Sequence, residues 1–379
     1  MREFEFILLL LSITFLPSAV ISLVVVACVR RYAIPLGLVD RPGERKVHTT
    51  PTPLGGGIGI WAGIMGTFLC GTIFVWFLLD IPWVIDFLPK DVLQHVDGLR
   101  FRTAELWMVL GAGTVLTGVG LLDDWRGLPA MLRLAIEFVV AAATVLVIGF
   151  GFTAFIPVPL LTSALSVVWI VALINSFNML DNMDGLSGGV AAIISAMLAA
   201  VMLLTPDPET EQPQFFVAAL LLIVCGALVG FLWHNRPPAK IFMGDAGSYL
   251  VGFLIGVATL AATYAGYKGT SRPHGVFAPL CVMAVPLYDM ITVLWIRLRE
   301  GRSPFVGDKS HFSHRLTDLG LSKVQAVLTI YLVTATCGLA ALLLGRVDAS
   351  AAIIVIGIVL CMLALVAILE STGWRKNKK

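Results

Sequence analysis

The chain has 379 residues, is 58% hydrophobic and only 13% charged, and carries a formal net charge of +2. A soluble domain is about half apolar with roughly a quarter of its residues charged, so a mean hydropathy of +0.92 excludes an ordinary water-soluble globule. The near balance of charge points to no nucleic-acid partner and leaves the lipid bilayer as the solvent that this composition suits.

A helix needs about 20 apolar residues to cross the hydrocarbon core. Eleven such stretches follow one another near 5–29, 54–79, 104–122, 132–150, 155–174, 187–205, 215–233, 247–267, 275–296, 323–344 and 350–370. They predict an all-α polytopic bundle, one integral membrane domain over 1–379 with no internal repeat and no soluble domain. The first stretch follows MREFEF, whose two glutamates and lack of a small-residue cleavage site read as a retained span rather than a removable signal peptide. The second is followed by the 80–103 connector, which is expected to hold a short interfacial helix around Trp83. Only the turn near Gly149 and Gly151 separates the fourth and fifth, where one long hairpin and a broken helix read alike. The six cysteines, Cys28, Cys70, Cys225, Cys281, Cys337 and Cys361, fall inside these runs without the close pairing of a zinc site, and read as reduced packing residues.

An odd number of spans puts the termini on opposite faces. With the N-terminus outside and the C-terminus cytosolic, 19 of the 26 lysines and arginines fall on the inner side, the asymmetry that the positive-inside rule requires.

Unusual polar residues concentrate in five inner loops. The first, after span one, reads DRPGERKVHTTPTPLGGG over 40–57, where Lys46 and His48 could meet phosphate or simply supply orientation charge. The second holds the adjacent carboxylates Asp123 and Asp124 in GLLDDW. Negative charge at a helix C-terminus opposes the dipole, and a Mg²⁺ ion would relieve the repulsion, because this cation bridges carboxylates to substrate phosphates. In the third, NSFNMLDNMDGL, a helical reading puts Asn175, Asn178 and Asp181 on one face with Asp184 continuing the row, a stripe of oxygen ligands. In the fourth, HNRPPAKIFMGDAGS, Asp245 stands between small residues as a ligand, an N-cap or both. The fifth, RSPFVGDKSHFSHR, brings His311, His314, Lys309 and Arg315 together, a set better suited to a diphosphate than to zinc.

Carboxylates for a divalent ion and basic groups for phosphates on one membrane face belong together in phosphoryl transfer, which rests on positioning and charge neutralisation. A transporter of lipid phosphate or nucleotide sugar would hold ionisable groups near the bilayer midplane. Here the centres of nearly all spans are free of charge, and Glu137 and Asp289 lie toward the inner ends.

These motifs, in this order over roughly residues 35–325, closely resemble those of the polyprenyl-phosphate N-acetylhexosamine-1-phosphate transferases (glycosyltransferase family 4). The resemblance implies a Mg²⁺-dependent enzyme (Mn²⁺ serving in its place) of the bacterial inner, cytoplasmic membrane, with its active site on the cytosolic face. A UDP-N-acetylhexosamine would donate sugar-1-phosphate to undecaprenyl phosphate, releasing UMP and starting a lipid-linked envelope glycan. By motif match, Asp245 and Asn178 resemble the metal ligands, and Asp123, Asp124, Asp181 and Asp184 the catalytic carboxylates. Asn175, Asn235, Phe242, His311, His314, Arg315, Lys46 and His48 resemble substrate contacts, Asn235 and Phe242 being those for uracil. An eleventh span and the DRPxxRKxH opening favour the N-acetylglucosamine branch over the phospho-N-acetylmuramoyl-pentapeptide transferases. The histidine motif departs from the family in reading His-Phe-Ser-His, and Arg133 stands where a lysine is common. Pairing into a homodimer, the pathway served, and direct displacement against a phospho-aspartate intermediate stay open.

Overall fold

The structure, a computed structural model, describes residues 3–40, 51–87, 93, 96–152, 156–207, 210–265 and 272–376. Apolar chain in lipid can satisfy its own backbone N–H and C=O groups only as helix or closed barrel, and helix is the choice made here. In chain order the helices are α1 (Glu3–Ala33), α2 (Gly56–Ile73, continued by a π-helical turn over Phe74–Leu78), α3 (Pro82–Phe87), α4 (Val96–Arg126), α5 (Ala130–Ile148) and α6 (Pro159–Leu180). There follow α7 (Leu186–Leu204), α8 (Phe215–Asn235), α9 (Gly244–Ala261), α10 (Ala278–Val282), α11 (Ala284–Arg299), α12 (Phe312–Asp318), α13 (Lys323–Leu344) and α14 (Ala349–Lys376).

Among the described residues ten helices are long and apolar enough to span a bilayer, and the bent pair Pro273–Val282 and Ala284–Arg299 makes an eleventh if taken as one span. That pair is bent by 65°, so the ninth stretch, expected over 275–296, is broken. Pro286, in the first turn of α11, has no N–H for the Val282 carbonyl and crowds the turn before it. The third stretch, expected over 104–122, runs for 31 residues as α4, because its charged ends stay helical beyond the apolar centre. The fourth and fifth are separate helices: Gly149, at φ 81°, closes α5 in the left-handed region that favours glycine, and Pro159 opens α6. The short helix expected around Trp83 is α3.

The bundle is built around α7, α8 and α9, its most buried spans, while α14 is the least buried. Polar pairs join helices where lipid offers no hydrogen-bond partner: Ser18 and Ser22 of α1 donate to the α8 carbonyls of Ile223 and Ala227, both at 2.7 Å. α9 packs on α4 and α6, and α13 on α7, so the ends of these helices meet. A capping box, in which Ser322 and Gln325 each accept the other's backbone N–H, opens α13. Antiparallel strands β1 (Val39–Asp40) and β2 (Thr52–Pro53) pair Asp40 with Thr52. Phe242 N–H then donates to Pro53 O, Gly56 N–H to Phe242 O and Gly57 N–H to Met243 O, all at 2.9 Å. The segment before α2 is thereby laced to the segment before α9.

Candidate active site

The site is organised by the first turn of α9. Its N-cap, Met243, has no side-chain acceptor, yet the first-turn N–H groups of a helix need partners. Asp124, at the end of α4, provides them: Asp245 N–H donates to its Oδ1 at 2.9 Å and Ala246 N–H to its Oδ2 at 3.3 Å. Asp245 is therefore not the cap of its own helix, and its side chain is left for another use. So close an approach demands glycine. A Cβ on Gly120 of α4 would overlap the backbone of Asp245 and Ala246, and one on Gly244, itself left-handed at φ 71°, would overlap the Asp124 carboxylate.

Around this junction the polar side chains sort by partner. Asn178 of α6 donates to Asp245 Oδ1 at 2.5 Å and to Ser248 Oγ at 3.1 Å. Arg133 of α5 lies 2.5 Å from Asp123 Oδ2 and 3.5 Å from Asp245 Oδ2. Asp123 also accepts Leu128 N–H at 2.6 Å and the Tyr249 hydroxyl at 3.3 Å. α6 ends at Leu180, with Asp181 as its C-cap, so the expected row stops there and Asp184 lies in the following turn, accepting Ala239 N–H at 2.9 Å. Burial first, then the charge of Asp124, push the Asp181 carboxyl up to about 7.

A cavity of about 470 Å³ opens over these groups, lined by Asp124, Asn178, Asp181, Asp184, Phe242, Asp245 and His314. Asp40, Asn182, Asp308 and Lys323 line it as well, and sequence reasoning had not singled them out. Asp40 was legible only as the opening residue of the first loop, and Lys323 only as orientation charge. Asp308 accepts from Arg297 at 3.1 Å and from the backbone and side chain of Ser310, and pairs with Arg302. Although burial opposes it, these donors hold its carboxyl below the usual range.

Several expected contacts do not reach this cavity. Asn175 donates to Glu137 Oε2 at 2.5 Å and to Val171 O at 2.9 Å. Asn235 accepts Gly185 N–H at 2.9 Å and donates to Ile241 O at 2.8 Å, so its amide pins two turns together instead of presenting itself to a base. His311 Nδ1 is 2.9 Å from the buried Asp289 carboxylate, and Arg315 turns to Glu370 at 3.0 Å. Asp123, held by Arg133, is likewise outside the lining. Lys46 and His48 lie outside the described residues. His314 does line the cavity, but burial, with His311 and Lys309 nearby, depresses it to about 4. It faces the cavity as a neutral imidazole, not as the cation that a diphosphate clamp calls for.

Among the described residues no group of three or more His, Cys, Asp or Glu side chains is arranged to hold a metal ion. The donor chemistry nevertheless fits one. Asp124, Asp181 and Asp245 with the Asn178 amide give oxygen donors around one space, and burial first, then the neighbouring charge of Asp124, raises the Asp181 carboxyl there. A hard divalent cation is the group that such donors accept.

Comparison with known proteins bears on the same residues. The model of glycosyl transferase family 4 matches residues 106–263, from within α4 to just beyond α9. The chain is 33% identical over 344 residues to a decaprenyl-phosphate N-acetylglucosaminephosphotransferase of Mycobacterium tuberculosis, covering 85% of this chain and 79% of that protein. The chain belongs to glycosyl transferase family 4. This family 4 chain is also 29% identical over 376 residues to a probable undecaprenyl-phosphate N-acetylglucosaminyl 1-phosphate transferase of Bacillus subtilis, covering 97% and 93% of the two. To the undecaprenyl-phosphate alpha-N-acetylglucosaminyl 1-phosphate transferase of Escherichia coli K12 it is 29% identical over 319 residues, covering 81% and 76%.

Proposed function

We propose that the chain transfers N-acetylglucosamine-1-phosphate from UDP-N-acetylglucosamine to undecaprenyl phosphate at the cytosolic face of the bacterial inner membrane. An oxygen of the acceptor phosphate bonds to the phosphorus that carries the sugar, the bond from that phosphorus to the UMP oxygen breaks, and UMP leaves. The observation that carries this reading is the cavity in which Asp124, Asp181 and Asp245, from the ends of three different helices, line one space. A soluble nucleotide and a membrane-embedded isoprenoid can bring their phosphates together only at such an interface. The names of the relatives above support the acceptor class and the sugar.

Asp245, Asn178, Asp181 and Asp124 are the residues that would hold Mg²⁺, which when bound would screen the phosphate charges. Arg133, ion-paired to Asp123 and 3.5 Å from Asp245, fixes the carboxylates of α4 and α9 relative to each other. Phe242, on the cavity wall, offers a flat face for the uracil ring. Asp184, held by Ala239 N–H, stands on the same wall, where it would meet the nucleotide.

The test is UMP release from UDP-N-acetylglucosamine by membranes carrying the protein, with undecaprenyl phosphate and Mg²⁺ added. Asp245→Ala is expected to lower the rate by at least about 100-fold. Release no greater than in that variant, across a panel of UDP-amino sugars, would overturn the assignment. The same panel separates this reading from a phospho-N-acetylmuramoyl-pentapeptide transferase, and substrate uptake into vesicles without bond cleavage would indicate a transporter.

A further inference from the structure

α12 is only seven residues long, well below the roughly 12–15 at which an isolated helix is even marginal in water, yet it carries His314 to the cavity wall. Something else must hold it. At its N-terminus the buried Asp289 accepts Phe312 N–H at 2.6 Å and lies 2.9 Å from His311 Nδ1. One turn on, Arg315 donates to Ser310 O at 2.5 Å, to Thr292 Oγ1 of α11 at 2.9 Å and to Glu370 Oε2 of α14 at 3.0 Å. The Tyr288 hydroxyl of α11 donates to the same Glu370 oxygen at 2.8 Å.

The Glu370 carboxylate is otherwise hard to account for. α14 is the least buried span, a helix that lipid alone would satisfy with apolar residues, and a carboxylate at such a position is costly unless used. Glu370 is 6% exposed, Arg315 is 9% exposed, and Glu370 Oε1 is buried without a hydrogen-bond partner. The pair borders a separate hollow of about 320 Å³ beside Trp295 and Ile296, not the carboxylate-lined cavity.

We infer that Glu370 and Arg315 are positioning residues, an ion pair through which the last span holds α12 and so keeps His314 at the cavity. Arg315 in this account touches no substrate. The inference rests on the proposed transferase reading for its kinetic and UDP-binding arms and on nothing beyond the fold for its stability arm.

The experiment is a double-mutant cycle on the full chain in nanodiscs with Arg315→Met, Glu370→Met and the paired variant. It reads kcat for UMP release, UDP affinity by calorimetry and melting temperature. Removing one partner strands a buried charge, whereas replacing both is often nearly neutral. Each single variant is therefore expected to lose at least about tenfold in kcat and to melt lower, since small misplacements at a site can cost up to about 100-fold. The paired variant is expected to recover to within about threefold and to regain most of the melting temperature. UDP affinity should stay within about twofold throughout. Glu370→Gln, which keeps an acceptor for Arg315 and Tyr288, covers the case in which Glu370→Met does not fold, and is expected to lose less activity than Arg315→Met. The inference is overturned if Arg315→Met weakens UDP binding while Glu370→Gln does not alter kcat, or if the paired variant is no better than Arg315→Met. A wild-type protein that binds UDP and shows the coupled melting temperatures but releases no UMP would instead sink the proposed function and leave the ion pair standing.

Discussion

Asp124 accepts the N–H groups of Asp245 and Ala246 while lining the cavity, so it holds a helix end as well as facing the site. Asp181, in contrast, is pushed up to about 7 by burial and by Asp124. Below that pH it keeps its proton, and above it the anion appears in a cavity already acidic. A divalent cation must displace that proton, so affinity for Mg²⁺ is expected to fall as pH drops through about 7, with proton release on binding at lower pH. Calorimetry in two buffers of different ionisation enthalpy checks this, and an affinity flat from about pH 6 to about pH 8 removes Asp181 from the cation site. Lys323 is the one lysine or arginine lining the cavity among the described residues. Lys323→Gln is expected to raise KM for the UDP-sugar about tenfold with a smaller change in kcat, read from initial rates of UMP release. An unchanged KM would place the ammonium off the phosphates.

The decisive element is the first turn of α9 and the helix ends packed on it. Gly120 lets the α4 backbone approach Asp245 and Ala246 where any Cβ would collide. Gly120→Ala is expected to cost about 1–3 kcal/mol by overpacking and to lower UMP release, since the carboxylates of α4 and α9 would be forced apart. A melting temperature and rate equal to wild type would show that the helices have slack at this point. The neighbouring broken span follows the same logic of local chemistry with a distant result. Pro286 interrupts the helix, α11 leaves at a 65° angle, and its Asp289, Tyr288 and Thr292 then stand behind α12. Proline was visible in the sequence, but the direction taken after it depends on which neighbours receive the second half.

For the whole molecule, the placement of 19 of 26 basic residues on one side argues for an outside N-terminus and a cytosolic C-terminus. Thr210→Cys and Arg302→Cys test this with a membrane-impermeant thiol reagent on intact cells. The first should be labelled directly and the second only after permeabilisation, and the reverse pattern would invert the topology. That the chain lives in lipid, that it crosses many times and that its polar motifs keep away from the centres of the spans were all legible from the sequence, because hydropathy sums residue by residue along the chain. Asp124, Asn178, Asp181, Asp184, Asp245, Phe242 and His314 could be named as candidates for the same reason: their types and spacing are local. Which of the candidates turn toward one space was not. Asn235, His311 and Arg315 look equally fit on paper, yet each is bound by a backbone group or carboxylate elsewhere in the fold. Asp124 meets Asp245 across 121 residues and Arg315 meets Glu370 across 55. A buried hydrogen bond is decided by the partner that packing delivers, and only the tertiary structure delivers it.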